Sequence, residues 1–541
     1  MKKILFTLLL LSQFCFAQQY QWAKRAGGST GDDAGNAICI DNAQNSYLTG
    51  SMDTVFNWHD SLNQQHHYSY FFLSKYNPSG SLSWTQAATG INNTWGMKMA
   101  IDTSANLFIA GQFMDTAYLP HSYIGPDTLK GTALKQVFIV SYDSTGAIRW
   151  IATAKDLNAN LSVSGIAVDA YGNTYITGQF DGTAKFDTNT VYSSGNGDFY
   201  ITKYNSAGKV EWVRTGGANG VGVAFSSSLN MLFLTGTYIN SATFGTTTIN
   251  SINSSIDIFV AAIDTGGNWI WAKGAGGPED DAVKAISIDA AGNLFIAGFL
   301  APSAYAVFGA DTVNADTYDL FIAKYSSSGT ALWAESAGGS GIDDVNSIAS
   351  DNAGNVYLAG DFQGTATFGS HSFSAVGYDV FVSKYNSAGT VMGSERAGGN
   401  SDDIANSIAV DNMGGLYITG TFKDTSTFGS FHLDAAGGTD IFIAKTGMNV
   451  GINEVKSSDN SNFNVYPNPS TGYLTVNYSS TENTSLNIRL TNVEGQIIYS
   501  EQKQLNGIYN QNLDFSSLAK GIYFLEIITN KETLVKKIIL N

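Results

Sequence analysis

Residues 351–360 read DNAGNVYLAG: an aspartate, a Gly-Asn pair three residues on, then an apolar run that closes on glycine. The D-x-x-G-N phrase suits a tight hairpin turn whose glycine takes a positive φ. The run behind it has the length and composition of a buried strand. The phrase recurs as DNAQNSYLTG at 41–50, DTSANLFIAG at 102–111, DAYGNTYITG at 169–178, DAAGNLFIAG at 289–298 and DNMGGLYITG at 411–420. A degenerate copy, SSLNMLFLTG, occupies 227–236. Subtraction along the chain puts the closing glycines 61, 67, 58, 62, 62 and 60 residues apart. Seven units of about 60 residues are the signature of a solenoid or a propeller.

Each unit divides into four strand-like runs, in the sixth at 346–350, 355–360, 379–385 and 390–396. A second turn, Asn386-Ser387-Ala388-Gly389, joins the last two. Four antiparallel strands make a blade, and seven blades close a ring. A tryptophan recurs on the outermost run at Trp22, Trp84, Trp150, Trp212, Trp271 and Trp333, with Met392 in the seventh place. The last third run, 440–445, has no outer run after it, whereas Trp22 precedes the first complete unit. The strand around Trp22 is therefore expected to complete the last blade, leaving no naked edge at the seam. An open solenoid would need polar caps at both ends, and none is present. The reading is an all-β chain with a seven-bladed β-propeller over residues 18–446. These motifs resemble the seven-bladed β-propeller repeats of bacterial secreted proteins, a family defined by architecture that implies a fold and little about activity.

Composition narrows the function. The 541 residues include 58 Gly, 7 Pro, 45 acidic and 28 basic residues, a net charge of −17. Such a balance argues against nucleic acid as a partner, which needs a basic face, and against an anionic membrane surface. Lys2 and Lys3, the apolar run 4–11 and Cys15-Phe16-Ala17 have the form of a signal peptide over residues 1–17. Acylation of Cys15 is the alternative. No stretch reaches 18 apolar residues, so no transmembrane segment is expected. After cleavage only Cys39 remains, in an apolar strand, where it is read as a structural thiol.

Past the repeats a Gly/Asn/Ser-rich linker, 447–462, leads to short strands at 464–466, 473–478, 485–491, 496–501, 521–528 and 533–540. That spacing fits an immunoglobulin-like β-sandwich over 463–541. Four motifs stand in this tail: Val465-Tyr466-Pro467-Asn468-Pro469 followed by Gly472; Asn492-Val493-Glu494-Gly495-Gln496; Leu518-Ala519-Lys520-Gly521-Ile522-Tyr523; and Lys536-Lys537-Ile538-Ile539-Leu540. Together they resemble the type A C-terminal sorting domain of the type IX secretion system of Bacteroidota. The resemblance implies export across the outer membrane, recognition of the tail by the translocon and its removal by a sortase-like peptidase. The cargo then ends released or attached at the cell surface.

The loops entering four blades carry a second repeat, A-G-G followed by paired aspartates: Asp32-Asp33, Asp280-Asp281, Asp343-Asp344 and Asp402-Asp403. Blade order makes these an acidic arc over more than half the ring, and Asp198, Asp257, Asp319, Asp379 and Asp440 are placed on the same face. Clustered carboxylates suit a hard cation such as calcium. Alternatively each pair orders its loop by accepting backbone N–H bonds. Enzyme constellations are weaker. Gly27-Gly28-Ser29-Thr30-Gly31 matches G-x-S-x-G without the helix a nucleophile elbow requires. Arg25, Arg149, Arg214 and Arg396 all fall on outermost strands, away from any channel. His59, His66 and His67, with Trp58, Tyr68, Tyr70 and Trp95, sit in blade-one and blade-two loops and are read as solvated or strand-capping residues. The expectation is a secreted or surface non-catalytic binding module for an extracellular glycan or protein. Its alternatives are a calcium-assisted glycan-active enzyme using the acidic arc and a purely structural surface or biofilm component.

Overall fold

The computed structural model describes residues 19–447 and 463–541, except 30, 54–68, 91–92, 120–126, 133, 157, 196, 480–483, 493–496, 506 and 530–532. The signal peptide, the linker from residue 448 onward, and Trp58, His59, His66, His67, Tyr68 and Gly495 lie outside the described residues. The chain divides into two units, Met1–Met448 and Asn449–Asn541. Among the described residues no helix is long and apolar enough to cross a membrane.

Seven four-stranded antiparallel sheets make up the first unit. Blade one runs through Ala34–Ile40, Ser46–Met52, Tyr70–Tyr76 and Leu82–Ala87. The innermost strands of successive blades are neighbours all round, and that of blade seven, Asp403–Val410, meets that of blade one. Blade seven takes its outermost strand from the other end of the sequence: Gln19–Ala26 pairs antiparallel with Phe431–Gly447. Closure is as the position of Trp22 predicts.

Local chemistry accounts for the blade's first turn. Asp351 Oδ1 accepts the N–H groups of Ala353 and Asn355, both at 2.9 Å, and Oδ2 accepts Asn355 Nδ2 and the Tyr357 hydroxyl. Gly354, at φ +77°, makes the left-handed step. The core lies between blades, because a radial sheet has both faces covered and its strands can be apolar on both sides. Tyr47 and Phe71 of blade one pack with Phe113 and Phe138 of blade two, all fully buried.

Four of the recurring tryptophans stitch their blade to the next, whereas Trp150 Nε1 is buried without a hydrogen-bond partner. Trp22, Trp212, Trp271 and Trp333 donate Nε1–H to carbonyls of Pro78, Thr265, Ser327 and Ser387, each at 3.1 Å and each in the last turn of the following blade. The glycine of that turn lies against the indole, so a Cβ at Gly80 would stand 2.6 Å from the Trp22 ring.

The sequence reading, which placed no strand between the second and third runs of a unit, is corrected there. In blades two to seven this connection folds into a second hairpin, as in Tyr305–Phe308 with Asp311–Asn314 of blade five. In blade six the flanking strands run straight into it, as Val356–Phe368 and His371–Tyr385. A Phe-Gly pair at 244–245, 308–309, 368–369 and 428–429 marks the tip. Its glycine takes φ between +59° and +66° and its Phe is buried. These hairpins reach across to the outermost strand of the preceding blade, pairing Gly338 with Thr367 and Gly398 with Thr427.

In the second unit two sheets enclose one core. Tyr473–Ser479 lies between Phe463–Tyr466 and Ile508–Asp514. The other sheet is ordered Ile497–Leu505, Thr484–Asn492, Gly521–Ile528, Thr533–Leu540. Leu474 and Val476 face Leu486, Ile488, Leu525 and Ile538 across it. Ile508–Asp514 adds a strand to the six read from sequence; of its sequence IYNQNLD only Tyr509 is fully buried, so no apolar alternation announces it.

Closure should be measurable at its seam. Trp22 is 6% exposed and ties the last blade to the first. Trp22→Ala is expected to cost about 3–5 kcal/mol in urea unfolding followed by circular dichroism. Trp22→Phe, which keeps a six-membered ring but removes the donor and part of the indole, should cost less, about 1–3 kcal/mol.

Candidate functional site

The four aspartate pairs enter the ring at the junctions of blades 7/1, 4/5, 5/6 and 6/7, but the two members of a pair do different things. Asp33, Asp281, Asp343 and Asp403 are at most 1% exposed. Each of Asp33, Asp343 and Asp403 turns Oδ2 back to the N–H of the second A-G-G glycine, Gly28, Gly339 and Gly399, at 2.7–2.8 Å. Asp281 occupies the same place beside Gly277, but neither of its oxygens has a donor at hydrogen-bond geometry. The preceding aspartates reach the other way: Asp32, Asp280 and Asp402 accept the N–H of Thr439, Ile256 and Tyr378, at 3.0, 2.8 and 3.1 Å. Pairing register breaks the equivalence in blade six. Asp343, opposite Phe362, matches Asp403, opposite Phe422; Asp344 is one place further on and bonds Lys284 of blade five at 3.0 Å.

The third-strand aspartates complete the arrangement. Asp440, Asp257, Asp319 and Asp379 each stand beside the buried loop aspartate of the following blade, with the first A-G-G glycine between them. A Cβ on Gly338 would fall 2.3 Å from Asp319 Oδ1 and 2.7 Å from Asp343 Oδ2. The glycines at 27, 276 and 398 meet Asp440, Asp257 and Asp379 in the same way, at φ between +144° and +157°. The product is four carboxylate dyads, Asp33/Asp440, Asp281/Asp257, Asp343/Asp319 and Asp403/Asp379, one per junction.

Burial drives the ionisation of these groups, and the facing carboxylate adds to it. Asp33 is pushed up to about 6, by burial first and then by the charges of Asp440 and Asp53. Asp281, Asp343 and Asp403 rise to about 7, each by burial and by its dyad partner. Burial also raises Asp379, against the opposing pull of the Arg396 guanidinium. Arg25 relieves the 7/1 dyad, reaching Asp440 at 2.9 Å. Oδ1 of Asp343 and of Asp440 and both Asp281 oxygens are buried without a side-chain partner or donor at hydrogen-bond geometry. Among the described residues no three His, Cys, Asp or Glu side chains converge as a metal-holding group.

A channel of about 190 Å³ runs between the innermost strands, lined among others by Asn36, Lys98, Lys284, Asn346 and Asn406. Residues 36, 284, 346 and 406 are the extra residues of β-bulges at one shared register. Three of them bond across to the next blade: Asn36 to the Gly96 carbonyl, Asn346 to that of Ala405 and Asn406 to that of Gly35, at 2.9–3.1 Å. Burial and the Lys284 charge hold the Lys98 ammonium below the usual lysine range. Cys39 donates to the Met99 carbonyl at 3.2 Å and burial pushes its thiol up to about 12, an unreactive state. Trp95 lies under Lys135, 5.5 Å from the ring centre.

In the tail the sorting residues form a clasp. Asn468, between Pro467 and Pro469, donates to the Lys537 carbonyl and accepts from Ile539 N–H at 2.9 Å, joining the first motif to the last strand. Gly472, at φ +113°, accepts from Phe515 N–H at 2.7 Å, and a Cβ there would strike the Ser516 backbone. Tyr523, two residues past Gly521, is buried and donates to the Ala519 carbonyl at 2.8 Å. Lys537 is exposed and Lys536 half-buried.

Comparison with known proteins bears on both units. Residues 464–541 match the family model described as the secretion system C-terminal sorting domain. An uncharacterized WD repeat-containing protein of Acanthamoeba polyphaga mimivirus is 25% identical over 65% of this chain and 31% of its own length. The regulatory protein FlaEY of Caulobacter vibrioides is 28% identical over 35% of this chain and 20% of its own. The chain thus spans less than a third of each of these relatives. A crystallised puromycin hydrolase mutant covers 85% of this chain at 10% identity and TM-score 0.38, with 61% of its own chain matched. The protein is a repeat propeller carrying a sorting tail, exported through the type IX system to the cell surface or beyond.

Between pH 5 and 8 the dyads set the direction of stability. A carboxyl at 6–7 in the folded chain, against about 4 when unfolded, keeps a proton that the unfolded chain has lost, so stability falls as pH rises through that window. The melting midpoint is expected to drop from pH 5 to pH 8, and Asp343→Asn should flatten the slope and raise the midpoint at pH 8. A midpoint that climbs with pH would contradict the assignment.

Proposed function

We propose that the propeller is a non-catalytic binding or adhesion module, displayed or released by the type IX system, whose ligand is an extracellular glycan or protein. The observation that carries this reading is the commitment of the acidic residues. The dyad carboxylates, whose ionisation is shifted toward neutrality, the usual mark of acid–base catalysts, are buried at the blade junctions, and Asp33, Asp343 and Asp403 are spent on backbone N–H groups. A polysaccharide cannot reach them without the ring opening. Rigid blades bearing differing surface hairpins suit recognition instead.

A second reading rests on the unpaired oxygens of Asp281, Asp343 and Asp440. A calcium ion would draw on the two carboxylates of a dyad and on neighbouring oxygens such as Thr317 Oγ1, which bonds both Asp319 and the Gly339 carbonyl. Two carboxylates are few for an ion that takes six to eight oxygens, so a retained proton accounts for the dyad more simply.

Two measurements test these readings. The full-length protein, incubated with a panel of polysaccharides, should bind at least one on an immobilised array and release no reducing ends or unsaturated products. Turnover abolished by Asp343→Asn would make it an enzyme, and concentration-dependent light scattering without any ligand would make it a structural component. At pH 8 millimolar calcium should leave the melting midpoint where EDTA leaves it. A site at 100 times its dissociation constant would instead add about 2.7 kcal/mol.

A further inference from the structure

The junction of blades two and three departs from the others. The outermost strand of blade two, Ile148–Asp156, ends against the hairpin strand Thr183–Phe186 of blade three. At the position where blades five and six set Gly338 against Thr367 and Gly398 against Thr427, this junction sets Lys155 directly against Lys185. Like charges opposite one another on a sheet destabilise it. Neither lysine has a carboxylate within ion-pair distance among the described residues, nor has Lys209 nearby. Lys155 Nζ donates to the Lys130 backbone carbonyl at 2.9 Å, a neutral acceptor that leaves its charge uncompensated. In a chain with 28 basic residues against 45 acidic ones, that concentration stands out.

The three lysines line a groove of about 390 Å³ whose other walls include Ile151, Asp187 and Tyr204. Tyr204 is 1% exposed, yet its hydroxyl has no hydrogen-bond partner. Burial, and then the charge of Asp187, hold that phenol firmly protonated, so it remains a donor. An unsatisfied buried hydroxyl costs free energy, and because its oxygen is covered in the free protein, a ligand oxygen reaches it only as the covering side chains shift. Ligand pockets run from about 300 to 1,000 Å³, which sizes this one for one or two sugar units.

We propose that the groove between blades two and three binds an anionic glycan, its carboxylate or sulfate groups placed between Lys155, Lys185 and Lys209 and a ring oxygen or hydroxyl on Tyr204. The proposal deepens the binding-module reading and rests on it. The bound anion removes the repulsion between Lys155 and Lys185, so binding gains from strain that the free protein carries.

The experiment titrates the full-length protein calorimetrically, at low salt, with oligogalacturonate, dextran sulfate, neutral dextran and poly-glutamate. One of the two anionic glycans should bind and neutral dextran should not, and the stronger arm separates carboxylate from sulfate recognition. Lys155→Ala with Lys185→Ala should weaken binding roughly 5- to 30-fold, on two ion contacts of about 0.5–1 kcal/mol each. The charge-matched control Lys24→Ala with Lys273→Ala should not weaken it, and Tyr204→Phe should weaken it severalfold at constant charge. The melting midpoint of the double lysine variant should hold or rise, excluding misfolding as the cause. Equal binding by wild type and variant would overturn the groove and leave the module standing. Poly-glutamate binding indifferent to Tyr204→Phe would overturn the glycan class. If neither anionic glycan binds, the groove falls, and the module stands or falls with the array.

Discussion

Everything in the propeller depends on one closure: the hydrogen-bonded seam between Gln19–Ala26 and Phe431–Gly447, residues more than 400 positions apart. A four-stranded sheet alone has two edges and two faces to cover, and none of the seven is stable by itself. The ring covers both faces of every sheet with its neighbours, so the apolar runs can be nearly continuous. Four of the outer-strand tryptophans and three of the bulged asparagines on the inner strands bond one blade to the next at opposite edges, and the hairpins add a third connection. The seam repeats these contacts: Trp22 reaches Pro78, and Asn406 reaches the Gly35 carbonyl.

The same geometry governs the electrostatics. Bringing the loop of one blade under the third strand of its neighbour puts two carboxylates on either side of a glycine. That glycine must lack a side chain because Asp319 and Asp343, or their equivalents, occupy the space. Excluding water from the junction is costly for charge, and holding a proton is cheaper than holding two anions. The acidic arc is thus an internal fastening more than an exposed recognition face. The junction of blades two and three has no such dyad; its Lys155 occupies the place of the A-G-G glycine, and the charge there is outward and positive.

The tail follows a different economy. Its two sheets close over a small core, and one residue of the first motif, Asn468, holds the first strand's exit to the last strand. Asn468 fixes the final strand by both ends of its amide.

Sequence by itself determined the number of blades, the first turn of each, the completion of the last blade by Trp22 and the sorting tail. These follow from short-range patterns: Asp351 binds Ala353 and Asn355 within five residues, and such contacts repeat wherever the phrase repeats. The Phe-Gly hairpin tips were written there as plainly, but the flanking strands are half polar and read as loops. Only the tertiary structure decided which carboxylate meets which. Asp33 and Asp440 lie 407 positions apart, and Asp343 and Asp344 are neighbours that face different partners because a strand turns successive side chains to opposite sides. The opposition of Lys155 and Lys185 belongs to the same class, for it depends on the register between two blades, which is set by packing across the ring and not by either strand alone.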